Sequence, residues 1–186
     1  MPSANHIVLV IHWKLRIFRL GYLQLKITPA NYLRFYQSQL MQGMHNRILF
    51  SKILVAIDGS TSAKRAFEWS IYLASKCDSR LEVMHVVPCE FGGDSVNTFD
   101  LVEDLKNKGK KILEQCKKIA VKKNISIKTF SDLGDPAKII IELAKSNDYD
   151  LIVMGSRGRS AFKELLLGSV TQKVAHHAKC PIMVVR

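Results

Sequence analysis

The sequence predicts an α/β fold in which helices cover both faces of an open parallel sheet, and three observations support this fold class. Beyond residue 50, short aliphatic runs alternate about four times with amphipathic segments of helical spacing, and one further aliphatic run follows. The central runs are continuously apolar, which is typical of strands that are covered on both faces. Right-handed crossovers between such strands give a parallel sheet between two layers of helices.

The strands are predicted from short apolar runs that end in turn residues. The first run, residues 53–57, is aliphatic throughout and precedes the turn signal Asp58-Gly59-Ser60. The second, residues 81–87, stops at Pro88, because proline has no N–H to donate to a sheet. The remaining strands are predicted at residues 125–130, which alternate as in a strand nearer an edge, at 151–154 and at 181–185.

Helices are predicted between the strands from apolar residues that recur on one face. Ser62 is placed to cap the first helix, and a second, long helix is predicted from about residue 99 to 123. Asp135 and Pro136 suit the N-cap and the first turn of the third helix. The fourth helix begins at about Ser169.

The segment after residue 154 is the most informative part of the chain. It contains Gly155-Ser156-Arg157-Gly158 and, after nine intervening residues, Gly168-Ser169-Val170-Thr171. Ligands of open parallel sheets bind beyond the carboxyl ends of the strands, where this segment is expected to lie. The chain has neither a Walker A motif nor a GxGxxG motif, which excludes the usual mononucleotide and dinucleotide cradles.

This glycine-rich segment has the chemistry of a phosphate site. The amides of residues 168–170 would open a helix, and a helix N-terminus attracts anions. The hydroxyls of Ser169 and Thr171 would add donors, and Arg157 and Arg159 would add positive charge. We expect the glycines to approach the ligand closely and to adopt positive φ. A plain glycine turn with an N-cap serine is the alternative that the residues alone leave open.

Beyond residue 50 the chain resembles the universal stress protein family. Nucleotide-binding members of that family have the motif G-x2-G-x9-G-[ST], and four residues match it in full: Gly155, Gly158, Gly168 and Ser169. The segments 52–60, 85–87, 134–136 and 180–185 are also similar to the family pattern. The resemblance covers residues 51–186, and residues 1–50 have no counterpart in it.

The resemblance implies a five-stranded parallel sheet of order 3-2-1-4-5, Rossmann-like and similar to the adenine nucleotide alpha hydrolases. It implies ATP as the ligand, with or without Mg²⁺ bound to the phosphates. Asp58 and Val86 would meet adenine and ribose, and Ala56 and Ile57 would line that side. The residues implied around ribose and phosphates are Met154, Gly155, Arg157, Gly158, Gly168, Ser169, Val170 and Thr171.

The closing strand is predicted to lie at the edge of the sheet and to form a homodimer. An apolar edge strand leaves a row of unpaired N–H and C=O groups, which soluble proteins cover, charge or pair. Pairing of residues 181–185 with the same strand of a second copy would satisfy them, and the family resemblance implies the same interface. The alternative is that the N-terminal extension folds back as an extra strand.

Residues 1–50 differ from the rest in charge. They hold six Lys and Arg residues and no Asp or Glu, and they supply half of the formal net charge of +12. Strand-like alternation occurs at residues 13–17 and 23–27. Three interpretations stay open for this segment: an incorrect start upstream of Met41 or Met44, a disordered or partly packed extension, and a targeting sequence. We treat residues 1–50 as an extension and 51–186 as the domain.

Other candidate chemistry fits the sequence less well. A triad of Ser169, His176 and Asp58 lacks the GxSxG elbow, so no residue is predicted to be catalytic. His85 is interpreted as a packed core residue, and the lysines between residues 106 and 123 as a solvated helix face. No metal site is predicted, because CxxC spacing is absent among the cysteines, which are expected to be free thiols: Cys77, Cys89, Cys116 and Cys180.

These observations predict an ATP-binding regulatory protein that acts as a nucleotide-responsive dimer in a stress response. The alternative is a dimeric interaction protein that binds no nucleotide. We expect at most weak ATP hydrolysis, and a cytoplasmic location because free thiols are typical of reducing compartments. A membrane partner is not expected, since the longest aliphatic run in residues 1–50 spans only residues 7–11. Nucleic acid is disfavoured, because no aromatic residues interleave with the lysines.

Overall fold

The computed structural model describes residues 7–10, 50–89, 97–159 and 167–186, which form a sheet with helices on both faces. The strands are β1 Ile7–Val10, β2 Lys52–Ala56, β3 Arg80–Pro88, β4 Ile127–Gly134, β5 Leu151–Gly155 and β6 Ile182–Val185. The helices are α1 Thr61–Cys77, α2 Asn97–Lys122, α3 Pro136–Ser146 and α4 Ser169–His177.

The sheet confirms the predicted fold class. Its strand order is β1-β6-β5-β2-β3-β4, and the strands β2 to β6 are parallel to one another. Counted from β2 onward, this is the predicted order 3-2-1-4-5. Strand β4 extends beyond the predicted residues 125–130 as far as Gly134, because it pairs with β3 along its whole length.

The prediction that the closing strand lies at the sheet edge is wrong for this chain. Strand β1 pairs antiparallel with β6, with Ile7 opposite Val185 and Val10 opposite Ile182. The alternative of an N-terminal extension that folds back as an extra strand therefore holds for residues 7–10. The physical reason is that an aliphatic segment of the extension supplies the backbone partner that an open edge lacks. The other strand-like pieces, residues 13–17 and 23–27, lie outside the described residues.

Two apolar cores lie on opposite faces of the sheet, because successive side chains of a strand point to opposite sides. Ile53 and Val55 pack against the buried faces of α1 and α2, where Phe67 and Leu113 contribute. Leu54 belongs to the second core, which includes buried residues of α3 and α4. The central strands are therefore buried on both faces, as their continuous apolar sequences predicted.

A buried polar pair interrupts the second core. Glu82 of β3 is 6% exposed, and the hydroxyl of Tyr149 donates a hydrogen bond to its carboxylate. Burial, together with the neighbouring Glu82, raises the pKa of the Tyr149 hydroxyl, which therefore remains a donor at neutral pH. The ammonium of Lys52 lies 4.3 Å from the centre of the Tyr149 ring. This pair joins β3 to the turn before β5.

We predict that Tyr149→Phe destabilises the fold, because it leaves the buried carboxylate of Glu82 without this donor. The expected loss in the free energy of unfolding is about 1–3 kcal/mol, measured by urea denaturation. Tyr72→Phe is the matched control, since it removes the same atom from a partly exposed ring that contacts Trp69 edge-on. Equal losses in the two variants would contradict the role assigned to Tyr149.

Candidate functional site

A cavity of about 480 Å³ lies beyond the carboxyl ends of β2, β3 and β5. Its size is within the range of roughly 300–1,000 Å³ that is usual for small-molecule sites. The chain proceeds from β2 toward β3 and β4 on one side and returns to β5 and β6 on the other. The cavity therefore lies at the point where strand order reverses, which is the general ligand position in open α/β sheets.

The structure brings all the sequence-predicted site residues to the wall of this cavity. The ends of β2 and β3 place one group there, and the end of β5, the loop that follows it and the start of α4 place the other. The residues are Ala56, Ile57, Asp58, Val86, Met154, Gly155, Arg157, Gly158, Gly168, Ser169, Val170 and Thr171. Their roles toward a nucleotide stay a prediction.

The start of α4 is an uncapped helix N-terminus that faces the cavity. Gly168 is the N-cap residue and has no side chain to cap the first amides. The first hydrogen bond of the helix is donated by Gln172 N–H to the Gly168 carbonyl at 2.9 Å. The N–H groups of Ser169 and Val170 precede this bond and have no partner within the helix. With the helix dipole, they make this end of the cavity suitable for an anion.

Two details of the predicted phosphate site are different in the structure. The Gly168 N–H donates to the Ser156 carbonyl at 2.7 Å, so this amide does not belong with those that face the cavity. The hydroxyl of Thr171 is buried and donates to the Gly155 carbonyl at 2.8 Å. Both groups hold α4 against the end of β5. Of the two predicted hydroxyl donors, Ser169 is the one left at the helix start.

The loop after β5 is bound to the loop after β2 and to the start of α1 by three hydrogen bonds. The carboxylate of Asp58 accepts one of them from Arg159 N–H at 3.0 Å, and it also accepts from Ser60 N–H of its own loop at 2.9 Å. The carbonyl of Arg157 accepts from the hydroxyls of Ser60 at 3.2 Å and Ser62 at 2.5 Å. The predicted cap of α1 at Ser62 is wrong: Ser60 accepts from the Ala63 N–H, and Ser62 is used for the bond to Arg157.

The first two glycines of the motif are required by packing within the protein. A Cβ at Gly155 would lie 2.7 Å from the Ala63 nitrogen, and one at Gly158 would lie 2.8 Å from a carboxylate oxygen of Asp58. Gly168 differs, because the nearest atom to its Cβ would be 3.4 Å away. The expectation of positive φ is wrong for all three glycines of the motif: among the described glycines, φ is positive at Gly59 and Gly134, and the φ of Gly168 is −72°. The fold itself therefore tolerates a side chain at this position.

Helix α2 contributes to the cavity in a way that the sequence analysis missed. Lys108 lines the cavity with Leu105 and Ile112, although it is also exposed to solvent as the sequence predicted. The helix approaches β3 closely because Gly109 has no side chain at its contact with His85. Residues 105, 108 and 112 lie on one face of the helix. This spacing in the sequence could have indicated that Lys108 lies beside the two apolar residues.

His85 is a buried residue, as predicted, and it also lines the cavity. Its Nδ1 lies 2.7 Å from the Ile57 carbonyl oxygen. Since a carbonyl can only accept, the imidazole donates from Nδ1, and this bond fixes the ring beside the end of β2.

The charge of the cavity wall favours an anionic ligand. Lys108, Arg157 and Arg159 lie on the wall, and Asp58 is the one acidic side chain among its described residues. Both carboxylate oxygens of Asp58 already accept N–H bonds from the backbone. The positive groups therefore outnumber the negative one, at the same end of the sheet as the uncapped start of α4.

A sequence profile of the universal stress protein family matches residues 49–186. The chain belongs to this family. Universal stress protein YxiE of Bacillus subtilis is 35% identical to it over 153 residues, covering 74% of this chain and 100% of YxiE. Universal stress protein MJ0531 of Methanocaldococcus jannaschii is 33% identical over 141 residues, covering 74% of this chain and 83% of the relative.

Solved structures of universal stress proteins are similar to this one. UspA from Lactobacillus plantarum matches with a TM-score of 0.70 and 26% identity, covering 76% of this chain and 100% of UspA. A universal stress protein in complex with cAMP has a TM-score of 0.59 and 25% identity, and the match covers 74% of this chain and 98% of that protein. A family protein from Arabidopsis thaliana with AMP bound has a TM-score of 0.56 and 26% identity, and the match covers 73% of this chain and 90% of that protein.

The thiols of this universal stress protein lie outside the cavity wall. Burial raises the pKa of Cys116 to about 11 and that of Cys180 to about 11, so both are protonated at neutral pH. Cys77 and Cys89 are half-buried free thiols. Across the described part of the chain, the helices are either too short or too polar to span a bilayer.

We predict that Gly155→Ala destabilises the fold, because the new Cβ would contact the backbone at the start of α1. Overpacking of this kind costs about 1–3 kcal/mol in the free energy of unfolding, which urea denaturation measures. Gly168→Ser is the matched control, because the Gly168 backbone is extended, a Cβ fits there, and serine is a good N-cap. A stability of Gly155→Ala equal to that of wild type would contradict the packing role of Gly155.

Proposed function

We propose that this universal stress protein binds ATP in the cavity beyond β2, β3 and β5 and acts as a nucleotide-responsive regulator in a stress response. The observation that carries the proposal is the uncapped start of α4, which faces a cavity whose wall has three basic side chains and one acidic side chain. An anion bound there would accept hydrogen bonds from the first amides of α4.

The family comparison supports an adenine nucleotide as this anion. One similar structure is a complex with cAMP, and another has AMP bound. Both ligands combine adenosine with a phosphate. In this chain, the apolar residues Ala56, Ile57 and Val86 line the part of the cavity formed by the ends of β2 and β3. The aromatic faces of adenine would be buried there.

Asp58 is proposed to bind the ribose. Its carboxylate accepts one N–H bond at each oxygen, and an ionised carboxylate has about four acceptor positions. It can therefore accept from a ribose hydroxyl without losing its bonds to the two loops. The phosphates would then extend toward Gly158, Gly168 and the amides of Ser169 and Val170, with Arg157 on the same wall.

The proposed role is regulatory, with at most weak hydrolysis of ATP. Asp58 is the one carboxylate on the described wall, and its two backbone bonds make it a poor base for activating water. Mg²⁺ usually keeps several waters and binds chiefly through phosphates and one or two carboxylates. The Ser169 hydroxyl and the phosphates would hold such an ion here, since the Asp58 carboxylate already accepts backbone hydrogen bonds from both loops.

We further propose that the domain, residues 51–186, dimerises through residues 181–185 in the cytoplasm. The Val185 carbonyl accepts from Ser156 N–H at 2.6 Å, and the Ser156 carbonyl accepts from Gly168 N–H at 2.7 Å. Two hydrogen bonds thus connect the end of β6 with the start of α4. A phosphate that pulls on α4 can act on the dimer strand through them. Because β1 pairs with β6 in this chain, the dimer requires that β1 leave the edge.

We predict that Gly168→Asp lowers the affinity for ATP at least tenfold while the fold stays stable. Aspartate is a favourable N-cap residue and suits the helix dipole, but its carboxylate would occupy the position proposed for phosphate. Isothermal titration calorimetry measures the affinity. Gly168→Ser is the control, because serine also caps the helix but adds no charge, and we expect a smaller loss.

Two results would contradict this proposal in different ways. Equal ATP affinity in wild type and Gly168→Asp would place the phosphates elsewhere. No ATP binding by a folded wild-type protein that still dimerises would favour the alternative function, an interaction protein without nucleotide.

A further inference from the structure

The outer edge of β6 is formed by the backbone groups of Ile182 and Val184. The Pro181 carbonyl accepts from Ile152 N–H and the Val185 carbonyl accepts from Ser156 N–H, so these two residues point toward β5. Backbone groups alternate in direction along a strand. The N–H and C=O groups of Ile182 and Val184 therefore point away from β5, toward β1.

Within the part of the chain that the structure describes, β1 covers this edge with four residues. Val8 is opposite Val184, and Val10 is opposite Ile182. These are the hydrogen-bonded pairs of the antiparallel ladder, because Ile182 and Val184 direct their groups to this side. Leu9 alternates with them, so its N–H points away from β6.

A second copy of β6 would offer the same edge an equivalent partner. Residues 7–10 read IVLV and residues 182–185 read IMVV, so the two segments have the same length and aliphatic character. Strand β1 is antiparallel to β6. A two-fold axis between two copies of β6 also makes those strands antiparallel. The outer edge of β6 can pair with β1 or with the β6 strand of a second copy, but not with both at once.

We propose that β1 is an intrachain cover of the dimer edge, which competes with the β6 strand of a second copy for Ile182 and Val184. This inference rests on the proposed dimer. The cover belongs to the same chain as the edge, so it competes as an intramolecular partner against the second copy. Its two hydrogen-bonded pairs each contribute little net free energy, so the cover is displaceable.

The competition makes dimerisation dependent on the N-terminal segment. With β1 paired, the chain is held in the monomeric form. Release of β1 exposes the edge and permits dimerisation. The exposed edge adjoins Val185, whose carbonyl binds the loop after β5.

The test compares two proline variants of the full chain. Val8→Pro removes an N–H that bonds to β6 and should release the cover. Leu9→Pro is the matched control, because proline is tolerated on an edge strand where its missing N–H would face away from the partner. Sedimentation equilibrium over a concentration series measures the dimer dissociation constant, and thermal unfolding checks that each variant is folded.

We expect Val8→Pro to lower the dimer dissociation constant at least tenfold relative to wild type, and Leu9→Pro to stay within about twofold. Adding Val184→Pro to Val8→Pro should abolish the dimer. Amide hydrogen exchange in dilute wild-type protein should show Ile182 and Val184 protected, with the protection lost in Val8→Pro.

The outcomes separate this inference from the dimer on which it rests. If Val8→Pro and wild type dimerise equally, and Val184→Pro abolishes both dimers, the cover is overturned while the dimer stands. A folded Val8→Pro chain that stays monomeric at the highest concentration overturns the dimer and the competition together.

Discussion

The close contact between the loop after β5 and the start of α1 is the constraint on which the rest of the site depends. Gly155 permits it, since a Cβ there would lie 2.7 Å from the Ala63 nitrogen. Ser60, Ser62 and Asp58 then bind the loop through its backbone. This contact fixes the end of β5, and Gly155 and Ser156 in turn position α4 through their carbonyls. The orientation of the α4 amides toward the cavity follows from it.

The same contact connects the cavity with the edge of the sheet. Ser156 lies between them, because its N–H binds Val185 of β6 and its carbonyl binds Gly168 at the start of α4. If the proposed ligand binds, a shift of α4 would act on the strand that β1 covers. The proposed regulation thus connects an anion site with a sheet edge through Ser156.

Sequence reasoning predicted the parts of this structure that local pattern determines. The strands and the glycine-rich segment follow from apolar runs and from a motif within residues 155–169, whereas the order of the strands was implied by the family resemblance. It missed Lys108, because the position of α2 depends on the contact between Gly109 and His85. It also misassigned the Gly168 amide, whose acceptor Ser156 is brought near only by folding. The pairing of β1 with β6 joins opposite ends of the chain, so the sequence offered a folded-back extension only as an alternative to the dimer.

We propose that nucleotide phosphates bind the uncapped start of α4, and an amide NMR titration of ¹⁵N-labelled full-length protein with ATP tests this binding. We expect saturable shifts that are largest at the amides of Ser169 and Val170, with smaller shifts at Asp58 and Ser156. Absence of saturable shifts, or shifts concentrated away from α4 and the loop after β5, would contradict it.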